Sequence, residues 1–202
     1  MDNYLKLNGQ KIQLTEQQIA EIKESFHIDS IMLSTIQVGE TFRIGKLELV
    51  VLEQRLGSTV IICKGAICTY AFSNSSNNYN GSRADDFCNE FAREIEAIIG
   101  ADNILTHVVD LTANDGLTDY GIVNRRASLL TADQYRKYVY ILDKFKLDMW
   151  WFLATAYSTP AHGYNRNVMC VMPSGHVYSQ NHDSPCGVRP HCILKSDIYV
   201  TR

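Results

Sequence analysis

The residues that could do chemistry are concentrated in the last third of the chain. The stretch from Trp150 to Cys192 contains four of the six histidines and three of the six cysteines. These side chains are common zinc ligands, and a cysteine beside a histidine is the pair used in thiol catalysis. Their spacing fits neither use, because no two have a C-x-x-C or H-x-x-x-H separation and none lies in a glycine-rich elbow. We therefore predict a non-enzyme without catalytic residues, metal site or cofactor. A metal- or thiol-dependent enzyme using Cys186 or Cys192 is the least favoured alternative.

The same stretch is rich in tyrosine, asparagine, histidine and arginine and poor in acids. From Trp150 onward there are four basic and two acidic residues, a balance of +2, which leaves −5 of the net charge of −3 for the rest of the chain. Rigid aromatic side chains beside adaptable hydrogen-bonding ones are typical of recognition surfaces. The predicted ligand contacts are Tyr164, Asn165, Arg166, Asn167, His176, Tyr178, Gln180, Asn181, His182 and Arg189, with Trp150 and Trp151 as structural residues beneath them.

Two arginines in this stretch suggest a narrower use. Arg166 and Arg189 would grip a phosphate while Tyr157, Tyr164 or Tyr178 stacks on a base. The chain has no Walker loop and no dinucleotide fingerprint, which excludes the common nucleotide-binding enzymes. For Arg189, which lies in a Gly-Val-Arg-Pro turn, a second interpretation stays open: buried hydrogen bonds to backbone carbonyls.

Three helices are expected to support this surface. In the first, Thr15 and Gln18 form a capping-box pair, and Ile19, Ile22 and Phe26 recur at helical spacing. Its single apolar stripe has to dock, either on the body of the same chain or on a partner subunit.

The second and third helices carry equally clear end signals. The second is predicted over 83–99, between the N-cap Ser82 and Gly100, and the third begins at Thr131 with Gln134 completing its capping box. The expected buried positions of the second helix are Phe87, Phe91, Ile95 and Ile98.

The strands are predicted to pair mainly antiparallel. Residues 39–71 read as a three-stranded meander, 151–155 as a central strand with two apolar faces, and 167–180 as a hairpin. An Asn8-Gly9 turn is expected in the N-terminal arm. The polar loop 73–81 is either a solvated turn or a rim of the binding face, using Asn77, Asn78 and Tyr79. Helices and strands without a βαβ rhythm indicate an α+β fold.

Size and composition set the remaining limits. The 202 residues, 46% hydrophobic and 20% charged, predict an N-terminal arm and helix over 1–38 and one domain over 39–202. No run of 18 apolar residues and no leader-like N-terminus is visible, so we expect a cytosolic protein without membrane association. The cysteines are then expected to be mostly buried thiols rather than disulfides.

The motifs at both ends of the last third resemble a known group. Trp150-Trp151 and Gly187-Val188-Arg189-Pro190 are similar to the Trp-Trp-Leu-Arg-Ser-Pro-like opening and Gly-Val-Arg-Pro ending of uncharacterised proteins from bacteriophages, prophages and Gram-positive gut bacteria. That group is related in pattern to the formylglycine-generating-enzyme branch of the C-type lectin-like fold. The resemblance includes the 77–79 loop, the second helix and the segment 111–121, and covers roughly residues 40 to 200.

The resemblance implies a C-type lectin-like domain whose C-terminal loops, residues 162–182, present variable side chains on a rigid sheet. This chain has Phe-Leu-Ala-Thr at 152–155 where the group more often has Leu-Arg-Ser-Pro, so any role of that arginine is absent here. Cys186 and Cys192 do not match the cysteine pair of the true formylglycine-generating enzymes, and oxidase activity is not implied.

These observations predict a phage- or prophage-type binding protein, located in the host cytoplasm or in the virion. The alternative is a phage anti-defence protein that inhibits a bacterial immune effector or sequesters a nucleotide immune signal. Two kinds of partner stay open, a protein or a small anionic ligand such as a nucleotide. The N-terminal helix is expected to offer a surface for homo-oligomer formation.

Overall fold

The computed structural model describes residues 4–7, 10–25 and 30–202. The predicted Asn8-Gly9 turn and Phe26 lie outside the described residues. The strands are β1 Tyr4–Leu7, β2 Gln10–Gln13, β3 Ser30–Met32, β4 Thr41–Ile44, β5 Leu47–Arg55, β6 Ser58–Cys63, β7 Cys68–Ala71, β8 Ile104–Leu105, β9 His107–Asp110, β10 Ile122–Arg125, β11 Ala127–Ser128, β12 Trp151–Ala156, β13 Asn167–Val171, β14 Val177–Asn181, β15 Pro185–Val188, β16 His191–Lys195 and β17 Tyr199–Thr201. The α-helices are α1 Glu16–Ser25, α2 Arg83–Ile99 and α3 Ala132–Leu142.

The three helices begin where their capping residues predict. Thr15 and Gln18 exchange the two bonds of a capping box ahead of α1, and Thr131 and Gln134 do the same ahead of α3. Ser82 accepts a hydrogen bond from the Asp85 N–H at the start of α2. These bonds satisfy backbone donors that have no partner inside the helix.

Two sheets form the body, and nearly all of their pairings are antiparallel. The larger sheet has the order β11-β16-β6-β5-β4-β17-β3, with β8 also paired to β16. The smaller sheet has the order β14-β13-β12-β15-β7. The chain is thus α+β, as predicted, and the meander β4-β5-β6 and the hairpin β13-β14 are confirmed. The β3 strand, from the predicted N-terminal arm, joins the larger sheet by pairing with β17.

Strict alternation along the central strands divides the core into three layers. In β5, Leu49 and Val51 face α2, while Val50 and Leu52 face α3 and the smaller sheet. In β12, Trp151 and Leu153 face that same middle layer. The residues that follow them, Phe152 and Ala154, face the other side of the smaller sheet and form the third layer. Every residue of β12 is buried, which confirms a central strand with two apolar faces.

The predicted apolar stripe of α2 is wrong at its C-terminal end. Phe91 and Ile95 are buried and Phe87 is half-buried, but Ile98 is 51% exposed. Ile98 lies beside the β4-β5 turn, where its Cδ1 would be 2.9 Å from a Cβ built at Gly45.

Candidate functional site

The two motifs behind the family resemblance are in direct contact. β12 and β15 run parallel, with Trp151 opposite Gly187, and the Gly187 N–H donates to the Trp150 carbonyl at 2.7 Å. A Cβ at Gly187 would lie 3.0 Å from the Ala66 Cβ and 3.3 Å from the Trp151 Cβ. A methyl group at Gly187 would therefore be tightly packed, and its neighbours would have to move by a few tenths of an ångström.

Arg189 completes this contact inside the protein. Its Nε donates to the Cys63 carbonyl at 2.8 Å and its Nη2 to the Lys64 carbonyl at 2.9 Å. The residue is 1% exposed, and burial lowers the pKa of its guanidinium to about 10. The group remains protonated at neutral pH, but it cannot reach a ligand on the surface. Arg189 thus belongs to the framework, and its bonds are those of the second interpretation of the Gly-Val-Arg-Pro turn.

The loops 73–81, 111–121 and 157–166 meet at one end of the smaller sheet, and we call this region the loop end. Its centre is Asn77, which is fully buried. The Asn77 side chain donates to the carbonyls of Ser158 and Asn167, both at 2.9 Å, and accepts a bond from the Tyr120 hydroxyl at 2.6 Å. Its backbone N–H donates to the Asn165 carbonyl at 3.0 Å. Asn77 is neither a solvated residue nor a rim contact; it ties the three loops together.

A second set of bonds fixes the same loops from the outside. The His182 Nδ1 lies 2.9 Å from the Ser73 carbonyl, which can only accept, so this nitrogen carries the proton. The Thr159 hydroxyl donates to Asp119 at 2.9 Å, and the His162 Nδ1 lies 3.0 Å from an Asp115 carboxylate oxygen. The backbone of the loop end is therefore held by side chains from several directions.

Two tyrosines project from this fixed backbone into solvent. Tyr157 is 45% exposed and Tyr164 is 37% exposed, and their rings meet edge to face with centroids 5.7 Å apart. Asn165 and Arg166 follow Tyr164 along the chain and are both exposed. The surface combines an aromatic pair with a cation and an amide, a combination that suits binding rather than bond-making.

The structure brings together most of the predicted contacts, but not all. At the loop end lie Tyr164, Asn165, Arg166, Asn167, Asn181 and His182. Tyr178 and Gln180 lie along β14, and His176 lies at the turn that closes the hairpin at its far end. The β13-β14 hairpin therefore separates His176 from His182 by its whole length.

The two tryptophans have different environments. Trp151 is buried and contacts Tyr135 of α3, with ring centroids 5.7 Å apart. Trp150 is half-buried and lies edge to face against Tyr178, with centroids 6.1 Å apart. Trp150 therefore supports an exposed aromatic residue directly, while Trp151 supports the sheet.

The cysteines lie mainly in the interior. All six are free thiols, five are buried, and Cys68 is half-buried. Cys186 is 3% exposed and Cys192 is fully buried, so neither thiol is accessible to a substrate. Burial raises the pKa of the Cys192 thiol, which opposes formation of a nucleophilic thiolate. Within residues 4–7, 10–25 and 30–202, no three potential metal ligands come together.

Three residues have a role at the loop end that the sequence does not reveal. The sequence predicts Tyr157 only as a base-stacking residue, and it gives no sign that Asp115 and His162 form a pair. The sequence contains a weak signal for them, since the Asn-Asp-Gly turn at 114–116 and the Pro160 turn are both loop markers. No local pattern shows that these two turns meet.

A groove of about 900 Å³ lies on another part of the surface, beside α2. Its wall includes Cys63 and Lys64, whose carbonyls are held by Arg189. The charged lining residues are Lys46, Lys64, Lys144, Lys146, Glu48, Glu90 and Glu94. Because both signs of charge are present in similar numbers, the groove does not define the charge of a ligand.

Comparison of the chain with protein-family models, with curated proteins and with solved structures finds no match.

None of the helices in the described part of the chain is both long enough and apolar enough to cross a bilayer.

Proposed function

We propose that the chain is a non-enzymatic recognition module of the C-type lectin-like kind that binds a protein partner through its loop end. The contacts are Tyr157, Tyr164, Asn165 and Arg166. Antiparallel sheets with flanking helices, and loops gathered at one end of a sheet, support this class. The bacteriophage setting, and a location in the host cytoplasm or virion, are proposed on the resemblance alone.

One observation carries the proposal: two exposed tyrosines stand on loops whose backbone is tied by the buried Asn77. Tyrosine offers a large contact area at a low cost in conformational entropy, and tyrosine and arginine are enriched among residues that dominate binding energy. A backbone that is already fixed loses little further freedom when a partner binds. The loop end therefore has the properties of a preorganised protein-binding surface.

A protein partner is favoured over a nucleotide by the position of Arg189. The nucleotide model needs two arginines to grip a phosphate, and Arg189 is 1% exposed with its N–H groups directed at carbonyls. Arg166 alone, beside two tyrosines, fits a protein surface better than a phosphate cradle. The anti-defence alternative is therefore retained in its effector-inhibiting form.

The N-terminal helix is proposed as a further contact between copies, one that is too weak to hold two copies together on its own. Ile19 and Ile22 of α1 are half-buried, and Ile12 of the preceding strand is 44% exposed. An apolar stripe that its own chain covers incompletely is available to a partner.

The test compares two double variants, each of which replaces one tyrosine and one arginine, on different surfaces of the protein. Tyr164→Ala with Arg166→Ala removes the proposed contacts. The control, Tyr140→Ala with Arg93→Ala, removes an exposed tyrosine from α3, where Tyr140 is 86% exposed, and an exposed arginine from α2. Each protein is immobilised and exposed to a bacterial extract, and captured proteins are quantified by mass spectrometry.

We expect the wild type and the control variant to capture the same protein and the loop-end variant to lose it. Both variants should unfold at the wild-type urea concentration, because surface substitutions change stability by only about 0.5 kcal/mol. Equal capture by all three proteins would show that the loop end is not the binding surface.

A further inference from the structure

The outer edge of β14 is an unpaired strand edge. β14 is the terminal strand of the smaller sheet and pairs only with β13 among the strands that the structure describes. Unpaired edges present free N–H and C=O groups, and proteins usually protect them with charges, proline or a covering element. At the opposite edge of the same sheet, Tyr70 of β7 contacts Phe87 of α2 and the Arg83 guanidinium. β14 has no charged residue and no proline.

The hairpin register shows which β14 groups point outward. The His182 N–H donates to the Arg166 carbonyl at 2.8 Å, and the Met172 N–H donates to the His176 carbonyl at 2.9 Å. Bonded and non-bonded pairs alternate along an antiparallel ladder. Between the Arg166/His182 pair and the Met172/His176 pair, the hydrogen-bonded pairs are therefore Val168 with Gln180 and Cys170 with Tyr178. The amides of Val177, Ser179 and Asn181 consequently point away from β13.

The structure itself closes one of these three outward positions. The Asn181 N–H donates to the side-chain oxygen of Gln180 at 3.1 Å, and its carbonyl accepts from the Ser184 N–H at 3.1 Å. Val177 and Ser179 have no such backbone bonds among the residues described. The free groups of this edge are thus the N–H and the carbonyl of Val177 and the N–H and the carbonyl of Ser179.

Only one symmetric register uses all four free groups. If a second β14 runs antiparallel about a two-fold axis at Tyr178, Val177 of each copy faces Ser179 of the other, and the two pairs make four hydrogen bonds. Tyr178 then faces Tyr178 of the second copy in a non-bonded pair, where side chains approach most closely. Tyr178 is 63% exposed and rests on Trp150, so the two copies would join their aromatic pairs. The uncharged strand meets no like charge in its copy.

We propose that the chain forms a two-fold symmetric dimer by pairing β14 with β14 of a second copy, in the register that places Tyr178 opposite Tyr178. The smaller sheet becomes a continuous sheet across the dimer. The antiparallel arrangement directs the two loop ends in opposite directions, so neither is covered by the pairing. This inference does not rest on the proposed function of the loop end.

The first test uses a proline at an outward amide. Ser179→Pro removes an N–H that does not bond to β13, and proline is tolerated at such edge positions. Ser179→Ala is the matched control, because both changes remove the hydroxyl that accepts from Asn167 at 3.3 Å, but alanine keeps the N–H. Light scattering after size-exclusion chromatography should give twice the monomer mass of 22.9 kDa for the wild type and Ser179→Ala. Ser179→Pro should give the monomer mass.

The second test fixes the register. Tyr178→Cys places two thiols in a non-bonded pair, whose Cα atoms lie about 4.5 Å apart, within the range of a disulfide. Gln180→Cys places the two thiols about four residues apart along the strands, roughly 14 Å, which is too far. Mild oxidation should cross-link Tyr178→Cys and leave Gln180→Cys monomeric in denaturing gel electrophoresis. A monomeric wild type, a dimeric Ser179→Pro, or equal cross-linking of the two cysteine variants would overturn the proposal.

Discussion

The guanidinium of Arg189 lies over the ring of Trp151, with its central carbon 5.1 Å from the ring centroid. The two residues come from the two motifs that bound the last third of the sequence. Their contact, together with the parallel pairing of Trp151 with Gly187, joins β12 to β15 in the middle of the smaller sheet. The motifs therefore build the frame behind the loop end and do not themselves form a binding surface.

Replacing Arg189 should destabilise the protein strongly. Arg189→Met leaves the carbonyls of Cys63 and Lys64 without their donors, and removing one partner from a buried polar contact costs about 2–5 kcal/mol. The free energy of unfolding, measured with urea, should fall by this amount. Arg166→Met, at an exposed position, is the control and should unfold like the wild type. Equal stability of the two variants would contradict a framework role.

A side chain at Gly187 should destabilise the protein. Gly187→Ala would place a methyl group 3.0 Å from Ala66 and 3.2 Å from the Met149 sulfur, and overpacking of this kind costs about 1–3 kcal/mol. Gly65→Ala is a fair comparison, because Gly65 has open space around its Cβ position and an ordinary backbone conformation. We expect a lower thermal midpoint for Gly187→Ala only. A shift of the same size in both would point to a backbone effect instead.

Asn77 should be required for an ordered loop end. Asn77→Ala removes three side-chain hydrogen bonds, one buried and two partly buried, and leaves the carbonyls of Ser158 and Asn167 without that donor, at a cost of about 2–4 kcal/mol. Amide hydrogen exchange should accelerate across 157–167, since the loops lose their common tie. Asn74→Ala, at an exposed position in the same loop, should leave exchange unchanged. Wild-type exchange rates across 157–167 in Asn77→Ala would show that Asn77 does not hold the loops together.

Stability should fall in mild acid because of two buried histidines. His107 and His191 lie in contact, with ring centroids 4.8 Å apart, and both bond to Ser128. Burial lowers the pKa of His107 to about 4, and burial together with the neighbouring His107 lowers the pKa of His191 to about 3. Histidines of the unfolded chain have pKa values near 6.5. Below that pH the unfolded chain therefore binds protons at these two positions, while the folded chain keeps both histidines neutral.

The loss begins as the pH falls below about 6.5 and amounts to about 2 kcal/mol per histidine at pH 5. Urea unfolding at pH 7 and pH 5 measures it directly. His191→Gln should reduce the difference between the two pH values, while the exposed His176→Gln should keep it. A wild type equally stable at both pH values would contradict neutral burial of the pair.

The elements of the fold were largely predictable because their signals are local. Capping boxes at Thr15 and Thr131 and the alternation in β5 and β12 each depend on residues within one turn or one strand. The parallel pairing of β12 with β15 was not predictable, since it joins residues separated by 36 positions, Trp151 and Gly187, with no crossover helix to suggest it.

The site was predictable only in part, for the same reason. Composition identifies the polar stretch around Tyr164 and Arg166, and both are exposed in the structure. Composition cannot distinguish an exposed arginine from Arg189, or an exposed asparagine from Asn77, because burial is decided by distant segments. Arg189 and Asn77 have the side-chain N–H donors expected of ligand contacts, but these donors bond to backbone carbonyls inside the protein.

Hydrogen exchange of the wild-type chain, with and without the protein that it captures, shows whether the loop end is the binding surface. We expect the amides of 157–166 to exchange more slowly in the complex, and those of α3 and of the groove wall at 63–68 to be unchanged. Protection confined to α3 or to 63–68, with free exchange at 157–166, would contradict it.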